Sequence, residues 1–220
     1  MQAVIFDMDG LLIDSEPFWK QAEKRVFSAL GIEITDALSA KTMGMTTREA
    51  TEFWLHHAGL SLSQDAMEKV ENDVIDEVAL LTATQGQPLP GVHDLLEQLK
   101  QHKLKIGLAT NAPARLVPVV LERLHITALF DSYVADDHVE QGKPHPAIYQ
   151  LALERINAQA NHTIAFEDSV TGMTAAIGAG IRTVVVPSKA NYHLPHYDVA
   201  ALKLESLNGL AIQELRDLFK

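Results

Sequence analysis

Four short segments of the sequence place side chains that can do chemistry at or beyond the end of a short apolar run. They are Asp7-Met8-Asp9-Gly10, Thr110-Asn111, Gly142-Lys143-Pro144 and Glu167-Asp168-Ser169. An apolar run that stops at carboxylates is typical of a buried parallel strand. In open sheets of parallel strands, ligands bind beyond the carboxyl ends of the strands, so the four segments are predicted to meet at one site.

Each segment also has an ordinary structural interpretation. Asp-x-Asp-Gly suits a turn without any chemistry, because Asp and Gly are both favoured there. Thr110-Asn111 and Glu167-Asp168-Ser169 could be helix N-caps, and Lys143 could be a solvated loop lysine. A functional site is favoured by the joint occurrence of the four segments, in order, each beyond a predicted strand.

The predicted site is strongly acidic. Asp7, Asp9, Glu167 and Asp168 would bring four carboxylates into one crevice, with Lys143 as the nearby cation. Carboxylates that close cannot all stay ionised without raised pKa values or a bound metal. A hard divalent cation with octahedral oxygen preference relieves the repulsion, so the sequence predicts a Mg²⁺ site. The metal would also supply the positive charge that an acidic protein needs to hold a small anion.

The strands that must position these residues are short apolar runs that recur along the chain, at residues 3–6, 105–109, 132–135, 163–166 and 182–186. Helical patterns lie between them. Strands that alternate with helices predict βαβ units and a parallel sheet covered on both faces. The predicted fold class is therefore α/β, with a Rossmann-like parallel sheet as its core.

Residues 15–85 interrupt this alternation, because their patterns are helical throughout. Ser15 is a candidate N-cap with Pro17 in the first turn of a first helix. Thr46 and Glu49 form a capping-box pattern that predicts the start of a second helix.

These patterns predict two domains. An α/β core would consist of residues 1–14 and 86–220, and a helical cap of residues 15–85 would be inserted after the first strand. The two connections, near residues 13–15 and 85–90, would form a hinge over the strand ends.

Composition and charge limit the classes of function. The chain has 220 residues, 47% of them hydrophobic, which suffices for a sizeable core. The net charge of −11 and the scattered basic residues argue against nucleic-acid binding. The sequence has no cysteine, and no apolar run approaches the roughly 20 residues that span a bilayer. We therefore expect a cytoplasmic protein that binds neither nucleic acid nor membrane.

The haloacid dehalogenase (HAD) superfamily has four ordered motifs that resemble segments of this chain: Asp7-Met8-Asp9-Gly10, Thr110, Lys143 and Glu167-Asp168. The most similar subgroup contains β-phosphoglucomutases and sugar-phosphate phosphatases, which have a helical cap after the first motif. Residues 6–17 and 167–172 also resemble hexitol and 2-deoxyglucose-6-phosphate phosphatases. The resemblance covers essentially the whole chain, and it implies a monomeric, Mg²⁺-dependent enzyme whose partner is a small phosphorylated metabolite.

The resemblance also implies roles for the acidic residues. Asp7 would attack phosphorus and form an aspartyl-phosphate, which divides one difficult displacement into two easier ones. Asp9 would donate a proton to the departing alkoxide and later accept one from the attacking water, while its backbone carbonyl binds Mg²⁺. Asp168 would complete the metal site with Asp7. Glu167 would bind the ion either directly or through water.

The remaining core residues are implied to hold the phosphoryl group. The Thr110 hydroxyl and the Asn111 backbone N–H would bind its oxygens, and Lys143 would neutralise charge as the transition state develops. Asp9 distinguishes this set from dehalogenases, which attack carbon and need no acid for a halide leaving group.

Two residues of the predicted cap are candidate substrate contacts. Trp19 lies where β-phosphoglucomutase has a histidine that takes part in hydroxyl activation. Its indole could stack on a sugar, although core packing is the alternative for an aromatic residue on an amphipathic helix. Arg48 matches a phosphate-facing cap arginine of that family. A further basic residue expected near residues 73–75 is missing, which favours a phosphatase over a mutase that must hold two phosphates.

The leading prediction is a HAD-type phosphatase that acts on sugar or sugar-alcohol phosphates. If the protein is an enzyme, the alternative is a β-phosphoglucomutase-like phosphotransferase. A phospho-receiver signalling domain is the alternative from another class, because receivers also gather carboxylates, a Thr and a Lys around Mg²⁺ at strand ends. A receiver would leave the helical insertion without an explanation.

Overall fold

The computed structural model describes residues 1–39, 41–42 and 45–220. The strands of these residues are β1 (Ala3–Phe6), β2 (Lys105–Ala109), β3 (Ser132–Val134), β4 (Thr163–Glu167), β5 (Arg182–Val185) and β6 (Leu202–Lys203). They form one sheet in the order β3-β2-β1-β4-β5-β6, and every neighbouring pair is parallel. The predicted α/β fold class with a parallel sheet is confirmed.

The central strand β1 determines where the site lies. All four of its residues are fully buried, as its continuous apolar sequence predicts for a strand covered on both faces. Phe6 is in register with Leu108 of β2 and with Phe166 of β4. The residues that follow these three strands therefore emerge side by side at one edge of the sheet.

The helices of the described residues are α1 (Glu16–Ser28), α2 (Asp36–Ser39), α3 (Thr47–His57), α4 (Gln64–Gln85), α5 (Val92–Gln101), α6 (Leu116–Arg123), α7 (Ala147–Arg155), α8 (Val170–Gly178) and α9 (Ile212–Asp217). Successive residues of β1 face opposite sides of the sheet. Phe6 belongs to the hydrophobic cluster that includes Leu95 of α5 and Val117 of α6. Ile5 belongs to the opposite cluster, with Ile148 of α7. Helices therefore cover both faces.

Helices α1 to α4 lie between β1 and β2, in what we call the helical segment, residues 15–85. Within its described residues no strand is found. The capping box of Thr46 and Glu49 is present at the start of α3, as predicted. Helices α1 and α4 pack together, and Trp54 of α3 is fully buried. The assignment of this segment to a separate cap domain stays a prediction.

The two ends of the helical segment lie next to each other. Ile13 forms an antiparallel bridge with Pro88, and the Leu89 N–H donates to the Leu12 carbonyl at 3.0 Å. Arg123 of α6 donates to the carbonyl of Gly86 at 2.8 Å. Both connections are thus held at the sheet edge where the strands β1, β2 and β4 end. Among the described residues, no helix has both the length and the apolar composition needed to cross a membrane.

Candidate active site

The loop after β1 places Asp7 and Asp9 at the sheet edge. The Asp7 N–H donates to the Phe166 carbonyl at 2.9 Å, which extends the pairing of β1 with β4 by one residue. Gly10 then turns the chain with a φ of 75°, a conformation that favours glycine. A β-carbon on Gly10 would lie 2.1 Å from Oδ2 of Asp168, so glycine also leaves room for that carboxylate.

Three carboxylates form what we call the acidic cluster: Asp7, Glu167 and Asp168. One oxygen of each lies within 4.8 Å of the others. Nζ of Lys143 is 2.6 Å from Oδ1 of Asp7 and 2.6 Å from Oε1 of Glu167. Lys143 is only 8% exposed, so its interpretation as a solvated loop lysine is wrong.

Burial and charge determine the proton affinities in this cluster. Burial raises the pKa of Asp168 well above its usual value, and the charges of Asp7 and Glu167 raise it further. Burial also raises the pKa of Glu167, although Lys143 opposes the shift. Burial alone would lower the pKa of Lys143, but Asp7 and Glu167 raise it above its usual value. The lysine is therefore held charged, and a further cation would stabilise the ionised carboxylates.

Two buried tyrosines, which the sequence does not mark as functional, support the cluster. The Tyr149 hydroxyl donates a short hydrogen bond to Oε1 of Glu167, and the Tyr197 hydroxyl donates to the Asp168 carbonyl at 2.9 Å. Burial raises the pKa of both phenols, to about 12 for Tyr197. Both hydroxyls thus stay protonated donors, and they fix the positions of Glu167 and Asp168.

The Asp9 carboxylate is held by two residues of the helical segment. Ser15 Oγ donates to Asp9 Oδ1 at 2.5 Å, and the Trp19 indole N–H donates to the same oxygen at 3.3 Å. Ser15 occupies the predicted N-cap position of α1, with Pro17 in the first turn, but its side chain makes no capping bond to the helix. Burial raises the pKa of Asp9, and the charge of Asp7 adds to the shift, while the bonds from Ser15 and Trp19 oppose it.

Thr110 and Asn111 follow β2 and contact the loops that contain Asp9 and Lys143. Thr110 Oγ1 lies 3.4 Å from Oδ2 of Asp9 and accepts a hydrogen bond from the Ala112 N–H at 3.0 Å. The Asn111 side chain bonds both backbone groups of Lys143, since its Oδ1 accepts from the N–H at 2.8 Å and its Nδ2 donates to the carbonyl at 3.1 Å. Asn111 therefore fixes the loop that presents Lys143 to the acidic cluster.

A cavity of about 760 Å³ opens above these residues, between the strand ends and the helical segment. Seven of the nine predicted site residues line it, namely Asp7, Asp9, Trp19, Thr110, Asn111, Lys143 and Asp168. Glu167 is fully buried and binds Lys143 from the protein side. Arg48 is not among the described residues that line the cavity, because its guanidinium bonds Glu52 and Gln64 at 3.3 Å on the surface of α3.

Comparison with known proteins gives a consistent result. The model of the family described as haloacid dehalogenase-like hydrolase matches residues 4–186. A phosphorylated carbohydrates phosphatase of Thermotoga maritima is 37% identical over 184 residues, which cover 84% of each chain. Hexitol phosphatase B of Escherichia coli is 32% identical over 214 residues, covering 97% of this chain and 96% of the relative.

The fold is also similar to that of a solved structure. The crystal structure of CbbY from Rhodobacter sphaeroides in complex with phosphate superposes with a TM-score of 0.88 and 26% sequence identity, covering 96% of both chains. The similarity therefore extends over the sheet, the helical segment and the site.

Proposed function

The chain belongs to the haloacid dehalogenase-like hydrolase family and is a phosphatase, and on this premise we propose that it hydrolyses small sugar or sugar-alcohol phosphate monoesters. The substrate class is supported by the two similar phosphatases, whose names refer to phosphorylated carbohydrates and hexitols. The observation that supports the chemistry best is the buried acidic cluster with Lys143 bonded to Asp7 at 2.6 Å.

The residues present fit a bound Mg²⁺. The acidic cluster offers hard oxygen ligands from three side chains within 4.8 Å of one another, which is the ligand type that Mg²⁺ prefers. Asp7, Asp168 and the Asp9 backbone carbonyl would hold the ion, and Glu167 would do so directly or through water. Glu167 Oε1 already binds Lys143 and Tyr149, which favours the contact through water. When bound, Mg²⁺ supplies positive charge that offsets the negative charge of the carboxylates and of the phosphate.

Asp7 is the proposed nucleophile. Its carboxylate would attack phosphorus in line and form an aspartyl-phosphate, and the bond from phosphorus to the alcohol oxygen would break. Lys143 orients the attacking group through its contact with Oδ1. The same lysine is held by Glu167, so its ammonium stays in place as charge develops on the phosphoryl oxygens.

Asp9 is the proposed general acid and base. Its Oδ1 is occupied by Ser15 and Trp19, so Oδ2 is the oxygen that would give a proton to the departing alkoxide. In the second step it would take a proton from the water that attacks phosphorus, the bond from phosphorus to the Asp7 oxygen would break, and phosphate and the free Asp7 carboxylate would result. The raised pKa of Asp9, caused first by burial, favours the protonated form that the first step requires.

The remaining candidates would bind the substrate. The Thr110 hydroxyl and the Asn111 N–H would hold phosphoryl oxygens. The helical segment would act as a cap that excludes bulk water and contacts the leaving alcohol, so that it contributes to substrate specificity. Trp19 would orient Asp9 through the indole N–H and contact the leaving alcohol with its ring. Arg48 would meet the substrate only if the helical segment moved toward the core. One chain supplies every proposed site residue, so a monomer would suffice for activity.

A phosphate-release screen tests the proposal. Purified protein is assayed with hexose, deoxyhexose and hexitol phosphates, and with phosphoglycolate as the outgroup, in Mg²⁺ and in EDTA. We expect many turnovers on at least one hydroxylated ester, loss of activity in EDTA and recovery with Mg²⁺. Phosphorylation that stops after one equivalent would favour the receiver interpretation. Phosphate retained in an isomerised, bisphosphate-activated product would favour the mutase.

A further inference from the structure

A buried carboxylate of α1, that of Glu23, belongs to the wall of the cavity but not to the acidic cluster. Glu23 is 7% exposed and lines the cavity together with Trp19. The two residues are four positions apart on one helix, so they lie on the same face. Since Trp19 reaches Asp9, Glu23 lies one helical turn farther along the cavity, where the alcohol part of a substrate would extend from the phosphate.

The hydrogen bonds that the described residues give to Glu23 occupy a small part of its capacity. The Trp54 indole N–H donates to Oε2 at 3.0 Å. The Thr42 hydroxyl lies 3.4 Å from the same oxygen, but its one proton has a closer acceptor, the Ser39 carbonyl at 3.1 Å. A carboxylate can accept about four hydrogen bonds. Both of these contacts are to Oε2, and no hydrogen bond from the described residues reaches Oε1, which leaves this oxygen to a donor that enters the cavity.

Such an arrangement is unusual for a group that only supports the fold. Buried carboxylates are normally paired with several donors or with a cation, because removing their charge from water is costly. Burial raises the pKa of Glu23, and the bonds from Trp54 and Thr42 compensate only in part. Additional donors on a bound ligand would complete the site.

We propose that Glu23 is a specificity-determining residue that accepts hydrogen bonds from hydroxyl groups of the leaving alcohol, so that the enzyme selects neutral polyhydroxylated esters. This inference rests on the proposed phosphatase function and deepens it. A sugar or an alditol offers several O–H donors along its length. An alkyl chain offers none and would leave the carboxylate without partners.

The charges around the cavity extend the inference to anionic leaving groups. Apart from the proposed catalytic carboxylates and Lys143, the charged residues of the described lining are Asp14, Glu16, Glu23 and Glu205, against the cations Lys20 and Lys189. Lys20 forms an ion pair with Glu16 on the same helix. A leaving alcohol with its own carboxylate would therefore meet like charge near Glu23, so phosphoglycolate is disfavoured relative to hexitol phosphates.

The test compares two esters of equal chain length, a hexitol 6-phosphate and hexyl phosphate, by kcat/KM. The main variant combines Glu23→Leu with Trp54→Phe, because replacing both partners leaves no buried donor or acceptor unpaired. Trp54→Phe alone is the control for the packing change, and Glu68→Gln, on the exposed surface of α4, is the control for a lost carboxylate. Glu23→Gln is the conservative variant, and folding is checked by thermal melts.

We expect the double variant to lower the preference for hexitol over hexyl phosphate by about 10- to 100-fold, as for a hydrogen bond to a charged group. Glu68→Gln should keep the wild-type preference, and Trp54→Phe, which keeps the Glu23 carboxylate but removes its bond from the indole, should lose less of the preference than the double variant. Glu23→Gln should also lose a smaller part of it and gain relative activity on phosphoglycolate. If the double variant does not fold, Glu23→Gln provides the test: a lower preference for hexitol over hexyl phosphate supports the inference, and an unchanged preference contradicts it.

Unchanged preference in folded Glu23 variants would overturn the inference while leaving the phosphatase proposal intact. An equal loss on both esters would overturn it too, since that result indicates a structural role. A wild-type protein that hydrolyses hexyl phosphate but no hydroxylated ester would instead overturn the proposed substrate class. A wild-type protein inactive on every ester would overturn the proposed function itself.

Discussion

The indole N–H of Trp19 donates to Oδ1 of Asp9 at 3.3 Å, which links helix α1 to the loop that follows the central strand. Trp19 thus contacts a carboxylate of the site and not only the hydrophobic core. Ser15 binds the same oxygen at 2.5 Å. The position of the helical segment is therefore coupled to the orientation of the proposed acid.

Replacing Trp19 by phenylalanine separates this bond from the aromatic surface. We expect Trp19→Phe to lower kcat by about 3- to 10-fold with little change in KM, because the lost bond is long, at 3.3 Å, and is worth about 1 kcal/mol. Trp19→Ala should lower kcat similarly and also raise KM if the ring contacts the sugar. Steady-state kinetics on a hexitol phosphate measures both. An unchanged kcat in Trp19→Phe would show that the bond does not orient Asp9.

The sequence predicts the core of this arrangement because strand ends leave strong local signals. The buried run before Asp7 and the Glu167-Asp168 pair after β4 are visible in the sequence, and parallel pairing brings them together. The capping box of Thr46 and Glu49 is equally local. In contrast, β6 has two residues, too few for a recognisable pattern.

The supporting contacts escape prediction because they depend on packing between distant segments. Tyr149 and Tyr197 reach Glu167 and Asp168 from 18 and 29 residues away, and neither belongs to a motif. Serine is a residue type that often caps helices with its side chain, yet the hydroxyl of Ser15 donates to Asp9. The reason is that the loop after β1 lies against the start of α1. Only tertiary structure decides between these two uses of one hydroxyl.

Removing the two proposed catalytic carboxylates should have different consequences. Asp7→Asn removes the nucleophile and should abolish turnover. Asp9→Asn should lower kcat by about 100-fold or more while Mg²⁺ binding is mostly kept, because the backbone carbonyl survives. Phosphate release measures the first effect, and titration calorimetry with Mg²⁺ measures the second. Full activity in Asp7→Asn would rule out the aspartyl-phosphate mechanism.

Neutralising Asp168 should stabilise the protein without metal and remove its response to metal. Burial and two neighbouring carboxylates raise the pKa of Asp168, so its ionised form destabilises the metal-free fold at neutral pH. We expect Asp168→Asn to raise the Tm in EDTA. In the wild type, Mg²⁺ at 100 times its Kd should add about 2.7 kcal/mol of stability, and this shift should be absent in the variant. Equal Mg²⁺ shifts in both proteins would place the ion elsewhere.

Gly10→Ala should weaken Mg²⁺ binding through a clash with Asp168, in addition to the stability that it loses through backbone strain. An alanine β-carbon would lie 2.1 Å from Asp168 Oδ2, so the carboxylate must move. Gly31→Ala is the matched control, because Gly31 has a φ of 77° against 75° at Gly10 but nothing within 4 Å of the new carbon. Each substitution should cost about 1 kcal/mol for the left-handed backbone, while only Gly10→Ala raises the Kd for Mg²⁺. Equal Mg²⁺ affinities would contradict the clash.

Asp136 should make stability depend on pH between about 4 and 6. Burial, followed by the charges of Asp137 and Glu49, raises the pKa of Asp136 from 3.8 to about 6. In this window the folded protein binds more protons than the unfolded chain, so stability falls as pH rises, and the loss persists above pH 6. After a discount for solvent screening, we expect Asp136→Asn to be about 1 kcal/mol more stable than wild type at pH 8. Urea unfolding should show this difference disappearing near pH 4, where the folded aspartate is already protonated, and a difference equal at both pH values would contradict the shift.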